Sequence, residues 1–328
     1  MTLSDVAGIA GVSVGTVSKV MNGTGQLRPA TRVRVMKAAR TLGFRPSFIR
    51  HDPGLAELLT IGVVTSDSYG RFTIPLMLGA EDAFGPGQVS VLMCDARDDP
   101  VREDFYIRFL VQRRVDGVIV TGKSTDPRPS LGRDFPFPVL YAYQPSEDPA
   151  DSSIVPDHAG VAETAVERLL AIGRERIVHI TGPLRQTVVR ERIRGTVDTL
   201  ARHGLGLVDE PLSREWSERW GREAVCDVLT RGLEVDGVFC ASDELARGAV
   251  TGLRESGVRV PDEVAVVGVD NWSVLAEAAR PPLTTVDLEL GRLGVRAAQM
   301  LEDAIRGRRP LPRGVHTLPG TLVVRESA

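Results

Sequence analysis

Gly15, Ser18 and Lys19 share one side of the short segment Val14–Met21, and Val17, Val20 and Met21 share the other. At helical spacing this leaves a small, nearly bare, mildly basic face opposite an apolar one. Such a face suits close approach to a polyanion, with one ammonium placed against it. The surrounding residues favour the same chemistry. Residues 1–50 carry Lys19, Arg28, Arg32, Arg34, Lys37, Arg40, Arg45 and Arg50 against a single acid, Asp5, although the whole chain has a net charge of −3. A basic head on an acidic body points to a polyanion-binding module joined to something else. A helix with a solvated basic face has the same composition, so charge alone does not separate the two.

Other reactive residue types form no constellation. His51, His158, His179, His203 and His316 are dispersed, each suited to a local hydrogen bond. Cys94, Cys226 and Cys240 are odd in number and far apart, which fits thiols in a reducing compartment better than a disulfide framework or a metal site. There is no Gly-rich phosphate loop, zinc spacing or nucleophile elbow, so no enzyme, metal or cofactor is expected. Asn22-Gly23-Thr24 and Asn271-Trp272-Ser273 match the glycosylation triplet, which is too short to carry weight.

The elements that would position the bare face are legible. Thr2 suits an N-cap, with Asp5 three residues on in a variant capping box, and Val6, Ile9 and Ala10 recur at helical spacing. Gly11 ends that helix, Ser13 caps the next, and Asn22-Gly23 stops it. A third helix is expected from Pro29, with Val35, Met36, Ala39 and Leu42 inward and Gly43 at its end. Three short helices with a tight turn between the first two describe a helix-turn-helix, whose second helix enters the DNA major groove.

The length of 328 residues suits about two domains, and no apolar run is long enough to span a bilayer. From Thr60 apolar strands alternate with amphipathic helices. TIGVVT, VSVLMC, DGVIVT and PVLYAY read as strands buried on both faces, with helices over Ile74–Phe84 and Arg102–Arg113. A second set follows, RIVHITG, DGVFCA and EVAVVGVD, with helices over Val161–Ile172, Val189–His203 and Asp243–Ser256. The expected class is α/β, an all-α head followed by two parallel-sheet subdomains with a cleft between them. Ligands collect at the carboxyl ends of such strands. Tyr69 and Phe72, just after the first strand, and Trp272, beside Asp270, are cleft candidates by location, and core packing is an equal reading for each.

The head resembles that of the lactose-repressor (LacI/GalR) family nearly position for position, over Thr2-Leu3-x-Asp5-Val6-Ala7 and Ala10-Gly11-Val12-Ser13-x-x-Thr16-Val17-Ser18-Lys19-Val20-x-Asn22. By that resemblance Val14, Gly15 and Lys19 hold the base-reading positions, and Thr2, Ser13, Thr16, Ser18, Asn22 and Thr31 face phosphates. Lys19 stands where the family usually has Arg, and it lacks the bidentate fork that grips guanine, so modest sequence discrimination is expected. The hinge departs further. Pro46 is kept, but Ser47, Arg50 and Pro53 replace the family's Asn, Ala and minor-groove Leu. Pro53-Gly54 cannot continue a helix begun at Ser47, so Asp52-Pro53 reads as the start of a separate turn, Leu55–Leu59. Weaker DNA bending or weaker coupling to an effector is the expectation, with Arg50 and His51 left to contact phosphate.

The body is similar to the family's periplasmic-binding-protein-like core, through Ile180-Thr181-Gly182-Pro183, Arg192-x-x-Gly195, Ser242-Asp243, Val267-Gly268-Val269-Asp270, Pro281-Pro282-Leu283-Thr284-Thr285 and the ending LVVRES. The resemblance implies an allosteric repressor. A homodimer would bind a pseudo-palindromic double-stranded operator, and a small effector, a sugar or sugar derivative, would close the cleft and shift the heads. Carried over by position, Arg192 and Asp270 lead the effector contacts, unless they pair with each other. Trp216 supplies an aromatic plate, and Arg97 and Asp157 rank second. Ser242 replaces a family Asn, and Leu290 and Ala159 stand where others carry an aromatic or a carboxylate. Expected boundaries are 1–46 for the DNA-binding head and 47–59 for the hinge. The core spans 60–328, one subdomain over about 60–158 plus 290–318 and the other over 159–289 plus 319–328. The chain shows no signal peptide and no heptad tail, so a cytoplasmic dimer without membrane contact is expected. The alternative is a ligand-binding protein of the periplasmic type without DNA regulation, which the basic head disfavours.

Overall fold

The computed structural model describes residues 2–21, 29–42, 58–85, 87–132 and 134–328. The chain divides into two compact units, Met1–Leu58 and Leu59–Ala328. In the first, α1 (Leu3–Ala10), α2 (Val14–Met21) and α3 (Pro29–Thr41) follow one another. Thr2 caps α1 through the reciprocal box: the Asp5 N–H donates to Thr2 Oγ1 at 3.3 Å and the Thr2 N–H to Asp5 Oδ2 at 2.6 Å. That backbone hydrogen bond holds the Asp5 carboxyl below its usual range. Gly11 leaves α1 at φ 60°, the left-handed conformation that a Cβ disfavours. The Thr16 N–H donates to Ser13 Oγ at 3.2 Å, which caps α2.

The head's core is built from Val6, Ala7, Ala10, Val17, Val20, Val35, Ala38 and Ala39. Two expected core residues are outside it, Ile9 at 56% exposure and Met36 at 40%. Each sits one position off the i, i+3, i+4 stripe. Ala7 and Ala38 take the inward places, since short helices meeting closely favour small side chains. Asn22, Gly43 and the hinge from Phe44 to Glu57, with its expected turn, lie outside the described residues. Leu59 does not belong to a turn: it opens the first strand of the body and is buried.

The body runs β1 (Leu59–Thr65), α4 (Thr73–Phe84), β2 (Val89–Asp95), α5 (Pro100–Arg113), β3 (Gly117–Val120), β4 (Val139–Ala142) and β5 (Ser152–Pro156). It continues α6 (His158–Ala171), β6 (Ile177–Thr181), α7 (Thr187–Arg202), β7 (Leu212–Ser213), α8 (Glu218–Thr230), β8 (Gly237–Cys240), α9 (Asp243–Glu255) and β9 (Ala265–Asp270). It closes with α10 (Ser273–Ala276), β10 (Thr284–Asp287), α11 (Leu290–Ile305), β11 (Gly314–Leu318) and β12 (Thr321–Val323).

Two six-stranded sheets result, ordered β11-β5-β4-β3-β1-β2 and β12-β10-β9-β8-β6-β7. The pairings are parallel except β10 with β12. The chain leaves the first sheet after β5, builds the second through β10, returns with α11 and β11, and ends in the second with β12. Strands β1, β3, β6 and β8 are buried on both faces, as their composition requires. Strand β2, the VSVLMC run expected to be the same, is not, because it lies at the edge of its sheet, with Met93 55% exposed. Strand β5 was not expected, because Ser152 and Ser153 disguise it; both are buried. Helices α5 and α6 begin earlier than their apolar periodicity indicates, because Asp99 and Asp157 cap them.

Candidate functional site

Two surfaces are of interest, one in each unit. On the head, Val14, Gly15 and Lys19 are exposed along α2, with Thr2 and Ser13 exposed and Thr16, Ser18 and Thr31 half-buried. Ser13 Oγ and Thr16 Oγ1 lie 2.9 Å apart, so the α2 N-terminus presents two linked hydroxyls. A Cβ built on Gly15 would meet only Ser13 Oγ, at 3.9 Å. The glycine therefore answers no packing need within its own helix pair. Asn22 and Arg50 lie outside the described residues.

In the body, the carboxyl ends of β1, β4, β6, β8 and β9 converge on a cavity of about 320 Å³. Phe72, Arg192, Trp216, Ser242 and Asp270, all singled out in the sequence, line it together. Phe72 stacks on Tyr143 with ring centroids 4.5 Å apart. Trp216 lies against the glycine of the Ile180-Thr181-Gly182-Pro183 turn, where a Cβ would come within 2.2 Å of the indole. The indole N–H donates to Gln186 Oε1 at 2.7 Å, which fixes the plate's orientation. Ser242 caps α9, its Oγ accepting from the Leu245 N–H at 3.2 Å, so a short hydroxyl serves the helix where an amide would extend into the cleft.

Arg192 and Asp270 do not pair with each other. Asp270 accepts from Arg71 at 2.6 Å. Arg192 is 3% exposed, and its guanidinium donates to the Ala241 carbonyl and, at 3.3 Å, to His158 Nδ1. Its Nε has no partner. Burial lowers the Arg192 pKa, and burial followed by the Arg192 charge drives His158 well below the usual imidazole range. His179, also buried, is pulled down to about 3 for the same reasons and stays neutral. Burial likewise pushes the Tyr143 phenol up. Asp243, at the start of α9, accepts from Thr285 Oγ1 at 2.6 Å and the Trp272 N–H at 2.8 Å. Burial, then the Asp270 charge, raises its carboxyl to about 7.

The remaining candidates are elsewhere. Arg97 is on the surface beside Asp95 at 3.5 Å, because the turn after β2 carries it outward. Asp157 is committed to the Gly160 N–H at 3.0 Å as the α6 cap. Tyr69 is 97% exposed and borders an adjoining, wider cavity with Trp272. Leu290 lines a third cavity of about 370 Å³ on the far side of Arg71 and Asp270. Ala159 is taken up in the close packing of α6 on Gly195.

Sequence reasoning missed Arg71, which borders all three cavities and lies over both the Phe72 and Trp272 rings, at 5.0 and 4.3 Å. It also missed Lys123, Tyr143 and Gln186. Arg71 stands between two residues that were noticed, and its position after β1 was the available signal. Among the described residues, no cluster of His, Cys, Asp and Glu gathers to hold a metal, and no helix is long and apolar enough to cross a membrane.

The profile of bacterial regulatory proteins of the lacI family matches residues 2–47, and that of the periplasmic binding protein-like domain matches residues 166–328. The chain is 32% identical to the HTH-type transcriptional regulator CelR of Thermobifida fusca over 335 residues, covering 99% of this chain and 98% of that one. Among solved structures it is similar to the CelR–cellobiose complex, with 33% identity, a TM-score of 0.65 and full coverage of both chains. It is also similar to the Lac repressor dimer bound to operator and the anti-inducer ONPF, with 27% identity, a TM-score of 0.68 and coverage of 100% and 98%. With a head of helix-turn-helix form, a two-sheet body and relatives that are regulators rather than enzymes, the chain belongs to the LacI family of DNA-binding transcriptional regulators.

Proposed function

We propose that the chain is a repressor whose release from DNA is set by a small saccharide effector bound in the cleft. The cavity carries the reading. An oriented indole, a stacked Phe72–Tyr143 pair and the polar ends of Arg192, Gln186 and Asp270 surround a volume of about 320 Å³. Aromatic plates grip the apolar faces of a sugar ring, while convergent donors and acceptors read its hydroxyls. The solved relative bound to cellobiose supports a saccharide as the ligand class. Phe72, Arg192, Trp216, Ser242 and Asp270 are the proposed contacts, with Tyr69 at the rim; Arg97 and Asp157 are dropped from the set.

The Lac repressor dimer on operator supports a homodimer reading a pseudo-palindrome, with α2 of each protomer in the major groove. In this reading Val14, Gly15 and Lys19 meet base edges, and Thr2, Ser13, Thr16, Ser18 and Thr31 meet phosphates, with Asn22 and Arg50 assigned by sequence alone. The head ends near residue 46, a hinge follows to residue 58, and the core, from Leu59, divides between the two sheets. The protein acts in the cytoplasm. The effector shifts a population between a DNA-competent and a released state by its differential affinity for them.

The test is selection of DNA sites from a random pool by the full-length chain, followed by titration of the bound complex with mono- and disaccharides. Release by one saccharide class, lost in Trp216→Ala, is expected. Operator binding that no saccharide alters would remove the effector assignment, and selection of no site would remove the DNA-binding one.

A further inference from the structure

The strands of the first sheet are parallel, so all of them start at one edge, and the chain enters the body at that edge through Leu59. Two pairs of arginines gather there. Arg113 and Arg114 close α5 just before β3 opens at Gly117. The Asp116 N–H donates to the Thr60 carbonyl at 2.8 Å, and Asp116 Oδ2 accepts from the Thr60 N–H at 2.7 Å, so this turn is fastened to the first residues of the body. Arg309 and Arg313 follow α11. A Cβ built on Gly117 would lie 3.0 Å from Ile305 Cδ1, so α11 ends over the same turn. Gly314, next to Arg313, opens β11 beside the start of β5. Only β4 and β5 separate β3 from β11, so the arginines span about 15 Å of edge.

All four are exposed, and none lies within ion-pair distance of a carboxylate among the described residues. The acids that precede or follow them in the chain are already taken. Glu302 pairs with Arg306 at 2.7 Å, Asp303 with Arg308 at 3.4 Å, and Asp116 with the Thr60 N–H. Two observations separate this edge from an ordinary solvated face. Arg114 holds φ 53°, the left-handed conformation that favours glycine at a helix end, so a guanidinium is kept where the backbone would do better without a side chain. Arg309 and Arg313 lie past the end of α11, where they answer no helix dipole.

Residues 43–58 join this edge to the last helix of the head, and a chain of that length reaches at most about 55 Å. The tether gives DNA held by the head a high local concentration at the four guanidiniums. Guanidinium pairs with phosphate oxygens through two parallel hydrogen bonds, and its charge stays on at every relevant pH.

We propose that this edge of the body is a second DNA-contacting surface, on which Arg113, Arg114, Arg309 and Arg313 grip backbone phosphates of the duplex flanking the site read by α2. Such contacts add affinity and carry no sequence preference. The inference rests on the DNA-binding reading above and goes beyond it, because it gives the body a direct part in holding DNA.

The test uses the full-length chain and the selected operator in two labelled duplexes. One ends at the site, and the other carries about 20 further base pairs, two helical turns, on each side. Fluorescence anisotropy reads affinity over a range of salt. Wild type should bind the long duplex more tightly and with the steeper salt dependence, since each phosphate contact adds about 0.9 to the slope of log K against log salt. Replacing all four arginines by Gln should weaken binding to the long duplex about tenfold near physiological salt and flatten its slope by at least about 2, with the short duplex unaffected. Arg114→Gly guards against loss of fold: glycine suits that backbone, so this variant should melt no lower than wild type and still flatten the slope by about 1 per protomer. Equal affinity and slope of the fourfold variant and wild type on the long duplex overturn the proposal. An equal loss on both duplexes overturns it too, since the arginines would then act at the operator itself. Failure of the wild type to bind either duplex overturns the DNA-binding reading along with it.

Discussion

Arg71 donates to Asp270 across the cleft at 2.6 Å, although 199 residues separate them in the chain. Arg71 leaves the sheet of β1 and Asp270 ends β9 of the other sheet, so the bond ties the two halves of the body. A second tie runs from the Thr187 N–H, at the start of α7, to Asp126 Oδ1 at 2.7 Å. Both lie beside the cavity, where opening or closing would strain them first.

Arg71→Met should therefore destabilise the body by about 1–3 kcal/mol, because it leaves a buried carboxylate unpaired while keeping most of the packed stem. Asp270→Asn in the same chain should recover much of the loss, since the amide carries no charge to strand. A double-mutant cycle by urea unfolding of the body's transition measures the coupling. Additive losses would mean that the pair contributes nothing beyond its two separate side chains.

The pH dependence follows from four buried groups, His158, His179, Asp243 and Asp270. His158 and His179 have folded pKa values far below 6.5, so the unfolded chain takes up their protons first, and each costs stability as pH falls below about 6.5. Asp243 acts in the opposite sense. Its folded pKa of about 7 exceeds the unfolded 3.8, so the native state binds that proton first and stability rises as pH falls from about 7 towards 4. Burial raises the Asp270 carboxyl in the same sense, so the two carboxyls oppose the two imidazoles and flatten the acid limb of the stability curve. Asp243→Asn removes part of that offset and should make stability fall more steeply below pH 6.5. Chemical unfolding at a series of pH values reads both slopes.

The elements that carry the site were largely legible, because their signals are local. The strands buried on both faces announce themselves by composition, and Gly11, Ser13 and the Thr2–Asp5 box mark helix ends by backbone chemistry that depends on few neighbours. Ile9 and Met36 misled because a short amphipathic pattern has two plausible flanks, and only the packing partner chooses between them. Half of the cavity was missed for a related reason. Tyr143 and Lys123 become site residues only when β4 and β3 end beside β1, and nothing within their own segments marks them. Asp157 illustrates the converse: its position suggested a ligand contact, but a helix start beside it had the nearer claim on the carboxylate.

Gly182 offers a test of the indole plate. A Cβ there would fall 2.2 Å from Trp216, so Gly182→Ala must push the ring away and break its bond to Gln186. A cost of about 1–3 kcal/mol is expected for such overpacking. Trp216 fluorescence, read in a background with Trp220→Phe and Trp272→Phe, should shift to the red as the ring meets water. A spectrum identical to that of the parent background would show that the ring accommodates the methyl without moving.

The head invites the reverse experiment, where a methyl costs the fold nothing. Space around Gly15 is open except for Ser13 Oγ at 3.9 Å, and helix propensity alone favours alanine by about 1 kcal/mol. Gly15→Ala should therefore leave the head as stable as before or more so. If α2 lies close in the major groove, the same methyl meets the DNA and weakens operator binding. Lys19→Arg should act oppositely: a bidentate fork on guanine adds about 1–3 kcal/mol of discrimination at one base pair. Fluorescence anisotropy on the selected operator and on single-base variants separates these effects. Equal affinity of Gly15→Ala and wild type for every site would place the glycine away from the DNA, and would return its presence on α2 to chance.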